Sequence, residues 1–153
     1  MPAARLLILL GCACWAAPRS SPNAFGIWKM NPIRSTLTGD TEAKDLTVRF
    51  EPHAKGEVFT LDRIGGDGRI TTSSTVLYLD GNPRDFEERG CSGTQSSRRV
   101  DAQTVEILRR CASGGWIRLV RRPGAEAKEL IIEITEQHAG GRRFERRLLL
   151  EKQ

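Results

Sequence analysis

From Leu46 onward the chain alternates apolar and polar residues with a period close to two, and this alternation limits the fold more than any other feature. Leu46, Val48 and Phe50 are separated by Thr47, Arg49 and Glu51, so an extended segment here has one apolar face and one wet face. The same reading predicts strands at 57–64, 70–79, 94–100, 104–110, 116–121, 129–136 and 142–151, with a shorter one at 85–88. Between them stand residues that turn a chain: Pro52 to Gly56, Gly65-Gly66-Asp67-Gly68, Asp80-Gly81-Asn82-Pro83, Gly114-Gly115, Pro123-Gly124 and Gly140-Gly141. Glycine takes positive φ at least cost and Asp tolerates it, so these are hairpin connections. Turn signals recur every 8–12 residues or so, the spacing of an all-β sandwich or barrel. No helix is expected. At 153 residues the chain fits one domain with room for a sizeable core.

Before the alternating region the chain changes character twice. Residues 1–16 have the build of an export signal: Arg5, then an apolar run from Leu6 to Ala16, with Cys14 and Ala16 as small residues ahead of a cut. The run is shorter than the ~20 residues that span a bilayer. Leu9-Leu10-Gly11-Cys12 is similar to a lipobox, so lipidation of Cys12 competes with plain secretion. Both routes place the folded part outside the cytoplasm, periplasmic or extracellular, touching a membrane only through such an anchor. Residues 17–24 form a polar lead-in. The domain occupies 25–153 and opens with Gly26 to Met30. Asn31-Pro32 breaks that strand, 33–37 is a short irregular piece and 38–44 a loop.

Export bears on the remaining cysteines. Cys91 and Cys111 are an even number in an oxidising compartment. If 101–104 is a turn, Cys111 falls opposite about Thr94, and Cys91 sits in a loop able to bend back. A disulfide is expected there, the alternative being two free thiols.

Catalytic chemistry has little to stand on. His53 and His138 fall in loops without partners at ligand spacing. No Gly-x-Ser-x-Gly, phosphate loop or HExxH is present. Gly65-Gly66-Asp67-Gly68 lacks the acidic spacing of a Ca²⁺ loop. We expect no enzyme, no catalytic residue, no cofactor and no metal. The formal charge of +5 comes from interleaved signs, which reads as a solvated basic surface. Aromatics make up only 6%, too few to interleave with the Arg-rich stretches, so no nucleic-acid platform is expected.

The run Phe25-Gly26-Ile27-Trp28-Lys29-Met30-Asn31-Pro32, the strand ending at Pro52, the turn Tyr78-Leu79-Asp80-Gly81-Asn82-Pro83, the hairpin from Arg99 to Glu106 and the ending Leu150-Glu151-Lys152-Gln153 together resemble a lipocalin-like, calycin-type family of small exported bacterial proteins with no assigned activity. The Gly-x-Trp at Gly26 and Trp28 is similar to the signature that opens the first strand of such barrels. The chain departs from the family around Gly90 to Ser97 and is richer in Arg. The resemblance implies an antiparallel up-and-down barrel of roughly eight to ten strands. Trp28 would plug one end, and Arg146, which interrupts an apolar face, would stack on the indole or else reach solvent at a barrel mouth. A monomer is expected, holding a small apolar or amphipathic molecule among Val76, Tyr78, Phe144, Arg146 and Leu148. The alternative is a barrel filled by its own side chains, serving a structural or envelope role through its basic exterior.

Overall fold

A computed structural model gives the fold and describes residues 24–37, 43–88 and 90–153. The leader at 1–16 with Cys12, and all of the lead-in except Ala24, lie outside those residues. Ten strands follow one another: β1 (Gly26–Met30), β2 (Ala43–His53), β3 (Gly56–Gly65), β4 (Ile70–Leu77), β5 (Arg84–Glu88), β6 (Cys91–Arg99), β7 (Val105–Cys111), β8 (Trp116–Pro123), β9 (Glu129–Gln137) and β10 (Arg143–Lys152). The fold is all-β and antiparallel, and the sheet runs β4-β3-β2-β1-β10-β9-β8-β7-β6-β5. No helix among the described residues is long and apolar enough to cross a membrane.

Chain neighbours pair along this sheet with one exception, β4 and β5. The first and last strands also pair, with Trp28 opposite Lys152 and Met30 opposite Leu150. This curls the sheet into a nearly closed barrel. The apolar phases of β1 to β4 and β7 to β10 face inward and meet in one core, as the alternation requires. Val48, Phe50, Leu77, Val105 and Leu150 are all but sealed from solvent, and Phe50 stacks on Phe59 with ring centroids 5.2 Å apart.

The seam lies between β4 and β5. Leu79 and Gly81 both take positive φ, 60° and 78°, and steer the chain sideways. Asp80 bridges to Arg98 of β6, and Gly81 N–H donates to the Ser97 carbonyl at 2.8 Å. Past β4, then, the chain closes on β6 and passes over the start of β5. A bulky β-carbon at positive φ is costly, so the bend at Leu79 is imposed by closure.

Two boundaries differ from the sequence expectation. β2 begins at Ala43, inside the expected loop at 38–44. β6 begins at Cys91 rather than at 94, because the polar stretch is paired on both sides: Glu88 faces Cys91, and Gly93 faces Cys111. Cys91 therefore sits in a strand, not in a loop. It is disulfide-bonded to Cys111 with a Cα–Cα distance of 4.9 Å. A β-carbon on Gly93 would lie 2.0 Å from the Arg110 carbonyl oxygen, so only glycine fits where these strands meet.

Trp28 is 2% exposed, and its Nε1–H donates to the Ala24 carbonyl at 2.7 Å. The cation over the indole is Lys152, its Nζ 5.3 Å from the ring centroid, and not Arg146. Arg146 stands six positions earlier on β10, about 20 Å away at ~3.3 Å per residue. Gly26 explains its place two residues before Trp28. Its φ is +124°, and an added β-carbon would lie 3.1 Å from Lys152 Cε, in the path of the lysine.

Trp28→Ala should cost roughly 3–5 kcal/mol in urea or guanidinium unfolding, as large aromatic truncations in sealed sites do. A loss under about 1 kcal/mol would mean that the plug carries little of the packing.

Candidate functional site

The apolar phase of the barrel is broken by guanidinium groups, and their partners decide what the interior can hold. Arg121 follows Ile117 and Leu119 on the inward phase of β8. Glu57 is at the start of β3. These strands are not neighbours in the sheet, yet Arg121 Nη1 donates to Glu57 Oε1 at 2.6 Å and Nη2 to Oε2 at 3.2 Å. The pair crosses the lumen as a strut, with both residues buried. The guanidinium carbon also lies 4.3 Å from the Phe50 ring centroid. Burial pushes Arg121 below its usual range, and the Glu57 carboxylate pushes back. The buried Arg121 Nε–H has no hydrogen-bond partner among the described residues.

A second network lines the wall where β5, β6 and β7 adjoin. Arg109 Nε donates to Gln95 Oε1 at 3.0 Å, and Nη1 donates to Glu88 Oε2 at 2.6 Å. Its guanidinium carbon stands 4.3 Å from the Phe86 ring centroid. Gln95 Nε2 in turn donates to Thr75 Oγ1 of β4 at 3.0 Å. Burial lowers Arg109 as well, opposed by the Glu88 charge. Toward the far end from Trp28, Arg146 pairs with Glu136, and His138 Nε2 lies 2.7 Å from the same carboxylate.

The seam opens into a slot. A cavity of about 210 Å³ lies there, with Thr75, Gln95 and Ser97 from the inward phase and Val76, Tyr78 and Asp85 from the outward phase. Residues of both faces thus border the slot, with Gln95 and Ser97 buried beneath it. Asn82 and Arg84 complete its rim. Arg84 donates to both carboxylate oxygens of Asp80, at 2.9 and 2.7 Å, and its guanidinium carbon lies 3.8 Å from the Tyr78 ring centroid. The hydrogen bond from Arg84 holds the Asp80 carboxyl well below the usual carboxylate range, helped by the Asn82 N–H. A broader, shallow depression lies on the outside at the β6–β7 turn, between Asp101 and Pro123.

The residues singled out from sequence do not converge. Val76 and Tyr78 line the slot. Leu148 is buried in the core. Phe144 packs edge-on against His138, close to the Arg146–Glu136 pair at the far end. Arg146 was expected at the indole or in solvent; it pairs inward because Glu136 occupies the adjacent strand, with Phe144 opposite it. Sequence reasoning did not find Glu57, Arg109, Gln95 or Arg121. The signal for the two arginines was available: each falls on the apolar phase of its strand, where an unpaired cation would be costly.

No family model matches the chain, and no curated protein matches it by sequence. Solved structures do match by shape. A Schistosoma mansoni fatty acid binding protein in complex with arachidonic acid superposes with a TM-score of 0.54 and 11% identity, covering 84% of this chain and 95% of that one. A zebrafish ileal bile acid-binding protein complexed with cholic acid gives 0.51 at 11% identity, covering 84% and 98%. At this identity the likeness shows the fold alone, an antiparallel up-and-down β-barrel such as the sequence resemblance implies.

Glu57→Gln should destabilise by roughly 3–5 kcal/mol, because it leaves a buried guanidinium without its counter-charge. Replacing both partners with apolar residues, Glu57→Leu with Arg121→Met, should be near neutral. Equal losses in the two proteins would show that the strut itself, rather than its charge balance, holds the barrel. The Asp80–Arg84 pair makes a pH prediction. A carboxyl lowered from its ordinary 3.8 stabilises fully above that value and loses its contribution as pH falls below it. Carboxyl NMR titration should therefore show Asp80 still ionised after exposed carboxylates have protonated.

Proposed function

We propose that this protein is an exported, monomeric, non-enzymatic carrier holding one small apolar or amphipathic molecule in its barrel. The observation that carries this reading is the unladdered seam between β4 and β5, where a cavity of about 210 Å³ is bordered by inward-phase Thr75, Gln95 and Ser97. Its lining joins Val76 and the Tyr78 ring to polar and charged groups, a mixture that suits the polar end of an amphipathic molecule. Fold neighbours whose structures hold arachidonic acid and cholic acid support the class by analogy of architecture. Export is supported by the leader-like residues 1–16 and by the Cys91–Cys111 disulfide, a bond that persists in oxidising compartments.

One observation favours a second reading. The Glu57–Arg121 strut and the Phe50 ring occupy the lumen beside Trp28, as a structural barrel filled by its own side chains would require. Native mass spectrometry of protein purified from its own host, with displacement of a fluorescent apolar probe, separates the two. The carrier reading expects a co-purifying small molecule and saturable one-to-one displacement. Repeatedly empty spectra with no probe binding would leave the filled barrel standing.

A further inference from the structure

We infer that the slot between β4 and β5 receives an uncharged, hydroxyl- or amide-bearing head group of an amphipathic ligand, and that it discriminates against carboxylates. This rests on the carrier reading above. The charge accounting at the slot and among the less exposed guanidiniums drives it; Arg99 and Lys152, exposed toward the Trp28 end, form no ion pair among the described residues and stand outside it. Arg121 is held by Glu57 in a two-point pair, Arg109 by Glu88 and Gln95, and Arg84 by both oxygens of Asp80. Arg146 is paired with Glu136. A ligand carboxylate could engage any of these only by displacing a carboxylate of the protein, and that displaced charge would itself be left without a partner. Asp85 on the slot rim adds a further negative charge, which repels an anionic head.

The slot keeps hydrogen-bonding capacity of a neutral kind. Gln95 Nε2 gives one hydrogen to Thr75 Oγ1, and an amide nitrogen has a second. Thr75 Oγ1 accepts that bond, and Ser97 Oγ accepts the Leu79 N–H at 3.1 Å, so each hydroxyl can still donate outward. On the rim, the Asn82 amide and the Tyr78 hydroxyl offer both donors and acceptors. Three donors on the floor and mixed groups at the rim suit oxygens that both give and take hydrogen bonds, as in a glycerol, sterol or amide head. The apolar body would then follow along Val76 and the Tyr78 ring, the apolar surfaces of the same slot.

The test compares a 1-monoacylglycerol with the fatty acid of the same medium-length chain, both below their micelle concentrations, by calorimetry on the intact mature protein at mildly alkaline pH. The monoacylglycerol should bind at least about tenfold more tightly. Asp85→Asn, a change at an exposed rim position, should narrow the gap by raising carboxylate affinity severalfold. Equal or tighter binding of the fatty acid would overturn the head-group inference and leave the carrier reading intact. Binding of neither amphiphile, together with empty native spectra, would overturn both. Preference for the monoacylglycerol that survives Asp85→Asn and also Gln95→Leu with Ser97→Ala would place the head group elsewhere and overturn the assignment to the slot.

Discussion

The pairing of the first strand with the last is the contact on which the rest of the barrel depends. Trp28 and Met30 find Lys152 and Leu150 across more than a hundred residues of chain. Every other strand pair joins sequence neighbours, whose closure entropy is small. Without the β1–β10 ladder the chain would be an open meander with two extra edges and an exposed apolar face. With it, the apolar phases of β1 to β4 and β7 to β10 meet, and Trp28 seals one end. The Gly26-x-Trp28 spacing serves the same contact: it puts an absent side chain beside a large one on one face, and Lys152 lies in the space.

Closing the sheet at its termini decides where it stays open. An up-and-down meander whose ends pair has its unpaired edges in the middle of the chain, here β4 and β5. The link between them is too long for a tight hairpin, and the positive φ values at Leu79 and Gly81 spend its length on reaching β6. The seam is therefore a consequence of topology and not a local flaw. Because it lies between a strand facing in through Thr75 and one backed by Gln95 and Ser97, the opening exposes polar floor, whereas the opposite wall is aliphatic.

Much of this architecture was legible in the order of residues. Period two from Leu46 onward, with glycine-rich punctuation, specifies hairpins, and one apolar face per hairpin calls for closure. Cys91 and Cys111 were legible as a pair, although the polar composition of Cys91 to Ser97 hid a strand that is stabilised from both sides. What the sequence withheld are relations across the lumen. Arg121 sits visibly on an apolar phase, but its partner Glu57 is 64 residues away on a strand that is not β8's neighbour in the sheet. No local pattern encodes such a meeting. Arg146 and Lys152 show the related difficulty of register. Both are cations on the inward phase of β10, and only the β1–β10 alignment decides which of them reaches the indole.

The same wall can serve different interiors. The fold superposes on barrels whose own structures hold arachidonic acid and cholic acid, at 11% identity, so almost none of the inward residues need be shared. In this chain Arg121, Arg109 and Arg146 come with counter-charges from β3, β5 and β9, while Lys152 rests over the indole. A buried pair of this sort contributes little net stability over an apolar filling, but it fixes which charges a guest could meet. A guanidinium already answered by a carboxylate gives a charged guest little that water did not give it. A neutral guest loses less on entering and can still satisfy the hydroxyl and amide groups at the seam. The chemistry of the barrel is thus set by which positions on the apolar phase are charged and by whether each charge is already answered.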